Sequence, residues 1–164
     1  MTTAEILALF AYDHWARERT LQSVAPLPEA LYLENLKSSH GGIHGTLLHL
    51  FGADTRWLQR WMGGTPSAFP TAEEIPTLHA LRSRWQEYRA RLSSFLGGLT
   101  DAGLHAPVSY ADSAGNRHAE PLYQQMQHSV NHASYHRGQV VTMLRQLGAK
   151  PIGTDLITFY REPR

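Results

Sequence analysis

Residues 128–139 read HSVNHASYHRGQ, and this stretch decides how the rest of the chain is read. His132 and His136 are four residues apart. At 3.6 residues per turn they share one face of a helix, one ring above the other. Two imidazoles so placed can grip one metal ion, but they supply only half a shell. At least one more ligand must come from elsewhere. His128 precedes His132 by the same interval, so a His128/His132 pair is a second arrangement; it lies further from the apolar seam.

That seam runs through Leu122, Met126, Val130, Ala133, Val140, Leu144 and Leu147, the period of an amphipathic helix. Pro121 suits the first helical position, Gly148 the C-terminal cap, and Pro151 the stop beyond it. Gln125, Gln139 and Met143 lie on the same shoulder as the histidine pair. Arg137 falls inside the stripe.

Three further long helices are predicted upstream. Thr2 and Glu5 form a capping box ahead of Ile6, Leu9, Phe10, Ala16, Leu21 and Val24, and Pro26 and Pro28 end that helix. A connection over 25–38 follows, with Ser38 or Ser39 as the next cap. The second helix carries Ile43, Thr46, Leu47, Leu50, Phe51, Trp57, Leu58 and Trp61, and Gly63-Gly64 stops it. Thr71 and Glu74 offer another capping box before the third helix, with Leu78, Leu81, Trp85, Tyr88, Leu92, Phe95 and Leu99. Between it and the last helix, Val108–Tyr110 and Arg117–Ala119 flank a turn at Asp112–Asn116. This predicts a short hairpin or an irregular loop. The apolar tail from Asp155 to Tyr160 fits one short helical turn. The expectation is an all-α four-helix bundle forming a single domain over 1–164.

Composition narrows the function. The net charge of +1 gives no electrostatic footprint for nucleic acid. The absence of cysteine removes disulfides, thiolate ligands and a cysteine nucleophile. No apolar run reaches the ~18 residues of a membrane span, and the polar start, Met1-Thr2-Thr3, is no signal peptide. A cytoplasmic protein is expected. Ten histidines in 164 residues raise the prior for metal chemistry.

The best third ligand is His49, mid-helix beside an apolar seam. Three neutral imidazoles suit zinc, nickel or iron(II) and leave a coordination position open for water or substrate. His44 lies on the opposite shoulder, and His40 precedes the clear pattern. His14, His79, His105 and His118 read as surface residues. Asp13, Asp54 and Arg137 are charges at interior positions. Either Arg137 pairs with Asp54, Asp13 or both, or all three reach water. Tyr135 fits a partly buried surface position or a pocket mouth, and Gln139 a residue orienting a ligand.

Taken together, NHASYHRGQ with Leu144–Gly148 and Asp155, the second-helix run HGTLLHLFGADTRWLQRWMGG, and Tyr12-Asp13-His14-Trp15 resemble the DinB-like (YfiT-like) metal-dependent enzyme family over nearly the whole chain. The resemblance implies a four-helix bundle whose divalent metal is held at the positions of His49, His132 and His136. It also implies thiol-dependent transfer or isomerisation with a low-molecular-weight thiol cosubstrate, and a homodimer. A metal-dependent hydrolase, or a non-catalytic metal-binding stress-response protein, are the other readings.

Overall fold

Thr2 opens α1 (Thr3–Val24) as the sequence predicts: its hydroxyl accepts from the Glu5 amide, and the Glu5 carboxylate accepts from the Thr2 amide at 2.7 Å. The computed structural model describes residues 1–112 and 114–163. The remaining described elements are α2 (Glu29–Tyr32), α3 (Ile43–Trp61), α4 (Leu78–Gly97), α5 (Asp101–His105), β1 (Pro107–Ala111), β2 (Arg117–Pro121), α6 (Leu122–Gln146) and α7 (Leu156–Arg161). The protein is thus mostly helical, with one small sheet. α6 packs against both α1 and α3, and α4 lies against α3. Between them sit Ile6, Ile43, Leu47, Leu58, Leu81, Met126, Val140 and Leu144, all fully buried.

The hairpin forms. β1 and β2 pair antiparallel from Pro107 opposite Pro121 to Ala111 opposite Arg117. Asp112 holds the turn by accepting from the Ala114 and Asn116 amides at 2.9 Å each. The bonds from the His118 and Asn116 side chains, then those from the backbone amides, pull the Asp112 carboxyl well below its ordinary range.

Three local expectations are corrected. α3 is capped by Gly42 without a side-chain bond, not by Ser38 or Ser39. Ser38 instead pairs with Gly41 in a two-way backbone bridge. The Thr71/Glu74 box closes a single turn, whereas α4 starts later, with the Thr77 hydroxyl accepting from the Ala80 amide. Pro121 is the N-cap of α6 rather than its first helical residue, because it still ends β2. At the other end, Gly148 takes a left-handed φ of 79°, and the Ala149 amide returns to the Leu144 carbonyl, the reversal that glycine permits.

The interior charges are paired across the helices. Arg137 donates to Asp13, not to Asp54. Arg17, which the sequence reading did not single out, donates through one nitrogen to Asp13 at 2.6 Å and Asp54 at 2.9 Å. The Trp85 indole donates to Asp54 at 3.1 Å. All four charged residues are buried. Burial pushes the Asp13 carboxyl up, but the two guanidiniums outweigh it and hold it below its ordinary value. At Asp54 burial dominates over Arg17, and the carboxyl is pushed up to about 6. The network ties α1 to α3, α4 and α6, and so sets the register of the helix carrying His132 and His136.

Candidate metal centre

α3 and α6 bring His49, His132 and His136 together. The His132 Nε2 lies 3.2 Å from the His49 Nε2 and 3.1 Å from the His136 Nε2. Ligand nitrogens around one ion at 2.0–2.1 Å are separated by about 2.9–3.4 Å, the range from octahedral to tetrahedral angles. An imidazole nitrogen offers either one in-plane lone pair or one N–H. The His132 Nε2 faces two other ring nitrogens and can satisfy one of them well. A cation beside it relieves that conflict, so the donor chemistry of this histidine cluster suits a divalent metal.

The sequence reading did not place His40 here. Its ring stacks on that of His49, centroids 3.9 Å apart and planes inclined by 14°, and lies 5.2 Å from the ring of His136. His40, His49 and His136 each offer a ring nitrogen within 4.8 Å of the others, so by distance they too form a group able to hold an ion. Four histidines therefore crowd one spot. The signal for His40 was the glycine-rich sequence around it: a Cβ on Gly45 would lie 1.9 Å from the His40 carbonyl oxygen. Only a glycine there lets the loop cross the first turn of α3.

The rings are poised as neutral ligands. Burial, then the neighbouring histidines, push His49 down to about 4, and His132 likewise to about 4. His40 is lowered by burial and by His136. The His136 Nδ1–H donates to the Gln139 Oε1 at 2.8 Å, which leaves the Nε2 lone pair free, as a metal-ligating histidine requires. The sign for stability follows. Unfolded histidines take protons near 6.5, whereas folded His49 and His132 resist them down to about 4. The unfolded chain therefore binds more protons between those values. Metal-free protein is expected to lose stability steadily as pH falls from about 6.5 to about 4, measured by thermal melts in chelator. A flat profile would contradict the shifts.

Other expected residues fall elsewhere. His44 is a buried core histidine, its Nε2 bonded to the Ile75 carbonyl at 2.9 Å. His128 packs against Trp57, 5.9 Å ring to ring from His132. Tyr135 is 65% exposed, its ring edge-on to His136. It borders an open groove of about 560 Å³ with Lys37, Ser39, Gln139 and Thr142. Asp13, Asp54 and Arg137 belong to the buried charge network.

The DinB family model matches residues 1–164. The chain belongs to the DinB family. It is 26% identical over 152 residues to Protein DinB of Bacillus subtilis (strain 168), covering 90% of this chain and 88% of that one. Its fold is similar to a crystal structure of a DinB-like protein from Bacillus cereus ATCC 10987, with a TM-score of 0.62, 19% identity, and coverage of 93% and 97% of the two chains. Among the described residues no helix of this DinB-family chain is long and apolar enough to cross a membrane.

Proposed function

We propose that this DinB-family protein is a divalent-metal-dependent enzyme acting on a small molecule. In this reading His49, His132 and His136 hold zinc, nickel or iron(II) inside a four-helix bundle of α1, α3, α4 and α6. The observation that carries it is ring orientation. A ligating imidazole points its lone pair in its own plane at the ion. The planes of His49 and His132, His49 and His136, and His132 and His136 cross at 55°, 62° and 64°. Rings so crossed, unlike stacked ones, can each turn an in-plane lone pair toward a shared point.

A bound ion would supply Lewis-acid activation of a thiol cosubstrate at neutral pH. The chain's own residues do the rest. Gln139 holds the proton of His136 on Nδ1. The Tyr135 ring and the adjoining groove bound the space from which a small substrate approaches. In thiol transfer a sulfur–carbon bond forms, the leaving group departs and the thiol proton goes to solvent. Use of water in place of the thiol gives the second reading, a hydrolase, supported by the same site. The reading also takes the protein as a cytoplasmic homodimer with no nucleic-acid or membrane partner.

Elemental analysis of untagged protein and a transfer assay test this, using a panel of small thiols with an alkylating electrophile. Metal-loaded protein is expected to turn over and chelated protein to be inert. Equal rates in both would overturn metal dependence. Turnover of ester or amide substrates without thiol would favour the hydrolase. Gln139→Leu is expected to weaken zinc binding about 10–100-fold, the usual cost of losing a hydrogen bond to a ligating histidine, read by competition with a chromophoric chelator.

A further inference from the structure

The face of α3 that carries His49 has an unusual composition. Gly45, His49, Gly52 and Arg56 follow at steps of four, three and four, so they form one stripe. A Cβ on Gly45 would meet the His40 carbonyl oxygen at 1.9 Å, and one on Gly52 would meet the Phe69 Cδ1 at 2.4 Å. The two glycines are notches, one on each side of His49, and each admits a different loop. Through the first comes His40, whose ring lies flat on His49 at 3.9 Å and 14°. Through the second comes Phe69, its ring parallel to that of His49, with centroids 5.3 Å apart and planes inclined by 8°. The Arg56 guanidinium then covers the ring of Phe69 at 4.9 Å and donates to the Ser67 carbonyl, which anchors that loop.

We propose that His40 and Phe69 are positioning residues that clamp the His49 imidazole, and that His40 acts through its ring face and not as a metal ligand. The proposal rests on His49 being a ligand. Distance alone admits His40 to the coordinating group, but orientation excludes it alongside His49. With centroids 3.9 Å apart and planes inclined by only 14°, the two rings lie face over face, so their in-plane lone pairs run side by side and do not converge on one ion at the 2.0–2.1 Å of a metal–imidazole bond. A half-buried histidine on a single helix would otherwise rotate about χ1 and χ2. Stacking against the two parallel rings removes those rotamers before the ion arrives, so less entropy is lost on binding. The ring at the tip of the 33–42 loop is itself held by the two-way Ser38–Gly41 bridge, so the clamp is built on fixed backbone.

The test is zinc affinity of the full chain, measured by competition with a chromophoric chelator, with far-UV circular dichroism to confirm folding. His40→Ala is expected to bind zinc about 10-fold more weakly, and His40→Phe, which keeps a flat ring but has no lone pair, within about 2-fold of the parent. Phe69→Ala should weaken binding by a similar factor to His40→Ala. Cobalt(II)-loaded His40→Phe should keep the parent's d–d absorption bands, since the donor set is unchanged. His40→Phe as weak as His40→Ala, with altered cobalt bands, would make His40 a ligand and overturn the proposal. Parent-like affinity in His40→Ala and Phe69→Ala would overturn it too. Failure of the underlying reading would look different: His49→Ala would then bind zinc as tightly as the parent.

Discussion

Replacing His132 with alanine is expected to cut metal affinity by on the order of 10²–10³-fold, the largest loss from any single change in this protein. A four-ligand zinc site is worth about 10–16 kcal/mol, or roughly 2.5–4 kcal/mol per ligand. His132 is the middle ring, with its Nε2 within 3.2 Å of both His49 and His136. In the proposed site its removal would leave His49 and His136, on different helices, as the remaining ligands. Isothermal titration of metal-free protein with zinc measures this directly. The variant should still fold, since His132 is half-buried and its burial already opposes its charged form. An affinity within threefold of the parent would remove His132 from the ligand set.

The largest expected loss of stability comes from Asp13→Ala. Asp13 accepts from Arg137 and from Arg17, and both guanidiniums are buried. Arg17 keeps Asp54 at 2.9 Å, but Arg137 keeps the neutral Ser134 hydroxyl at 2.8 Å and the Tyr12 ring at 5.6 Å, with no carboxylate among its described partners. Breaking a buried pair from one side costs about 3–5 kcal/mol, because the surviving charge stays buried. For a chain of this size that is a fall in Tm of about 6–20 °C. Urea denaturation should find it in the midpoint with little change in slope. Asp13→Leu combined with Arg137→Met should recover much of the loss, since both charges then leave together. A single-variant cost below 1 kcal/mol would mean that the network relaxes onto water.

The same residues show where reading the sequence stopped short. Asp13 and Asp54 stand out because a carboxylate inside an apolar stripe is costly unless it is partnered. That identifies the need for a partner without naming it. Arg17 was within reach, since it sits one turn after Asp13 on the same face, but its link to Asp54 spans 37 residues and leaves no local trace. His132 and His136 were legible because their relation lies within one helix. His49 was legible as a ring on the edge of a seam. His40 and Phe69 were not, because they lie on loops with no period, and their only signatures are Gly45 and Gly52 on another element.

What the sequence determined by itself is whatever repeats with the helix or stops it: the long helices, the Thr2 box, the Gly148 reversal, the turn at Asp112–Asn116. These follow from interactions between residues a few positions apart, where spacing alone fixes who meets whom. Only the tertiary structure decided which carboxylate Arg137 takes, that Arg17 joins α1 to α3, and that two loops each bring a ring parallel to one imidazole. Such contacts depend on how one helix is rotated against another and on where a missing Cβ lets backbone approach, and no residue carries that information alone.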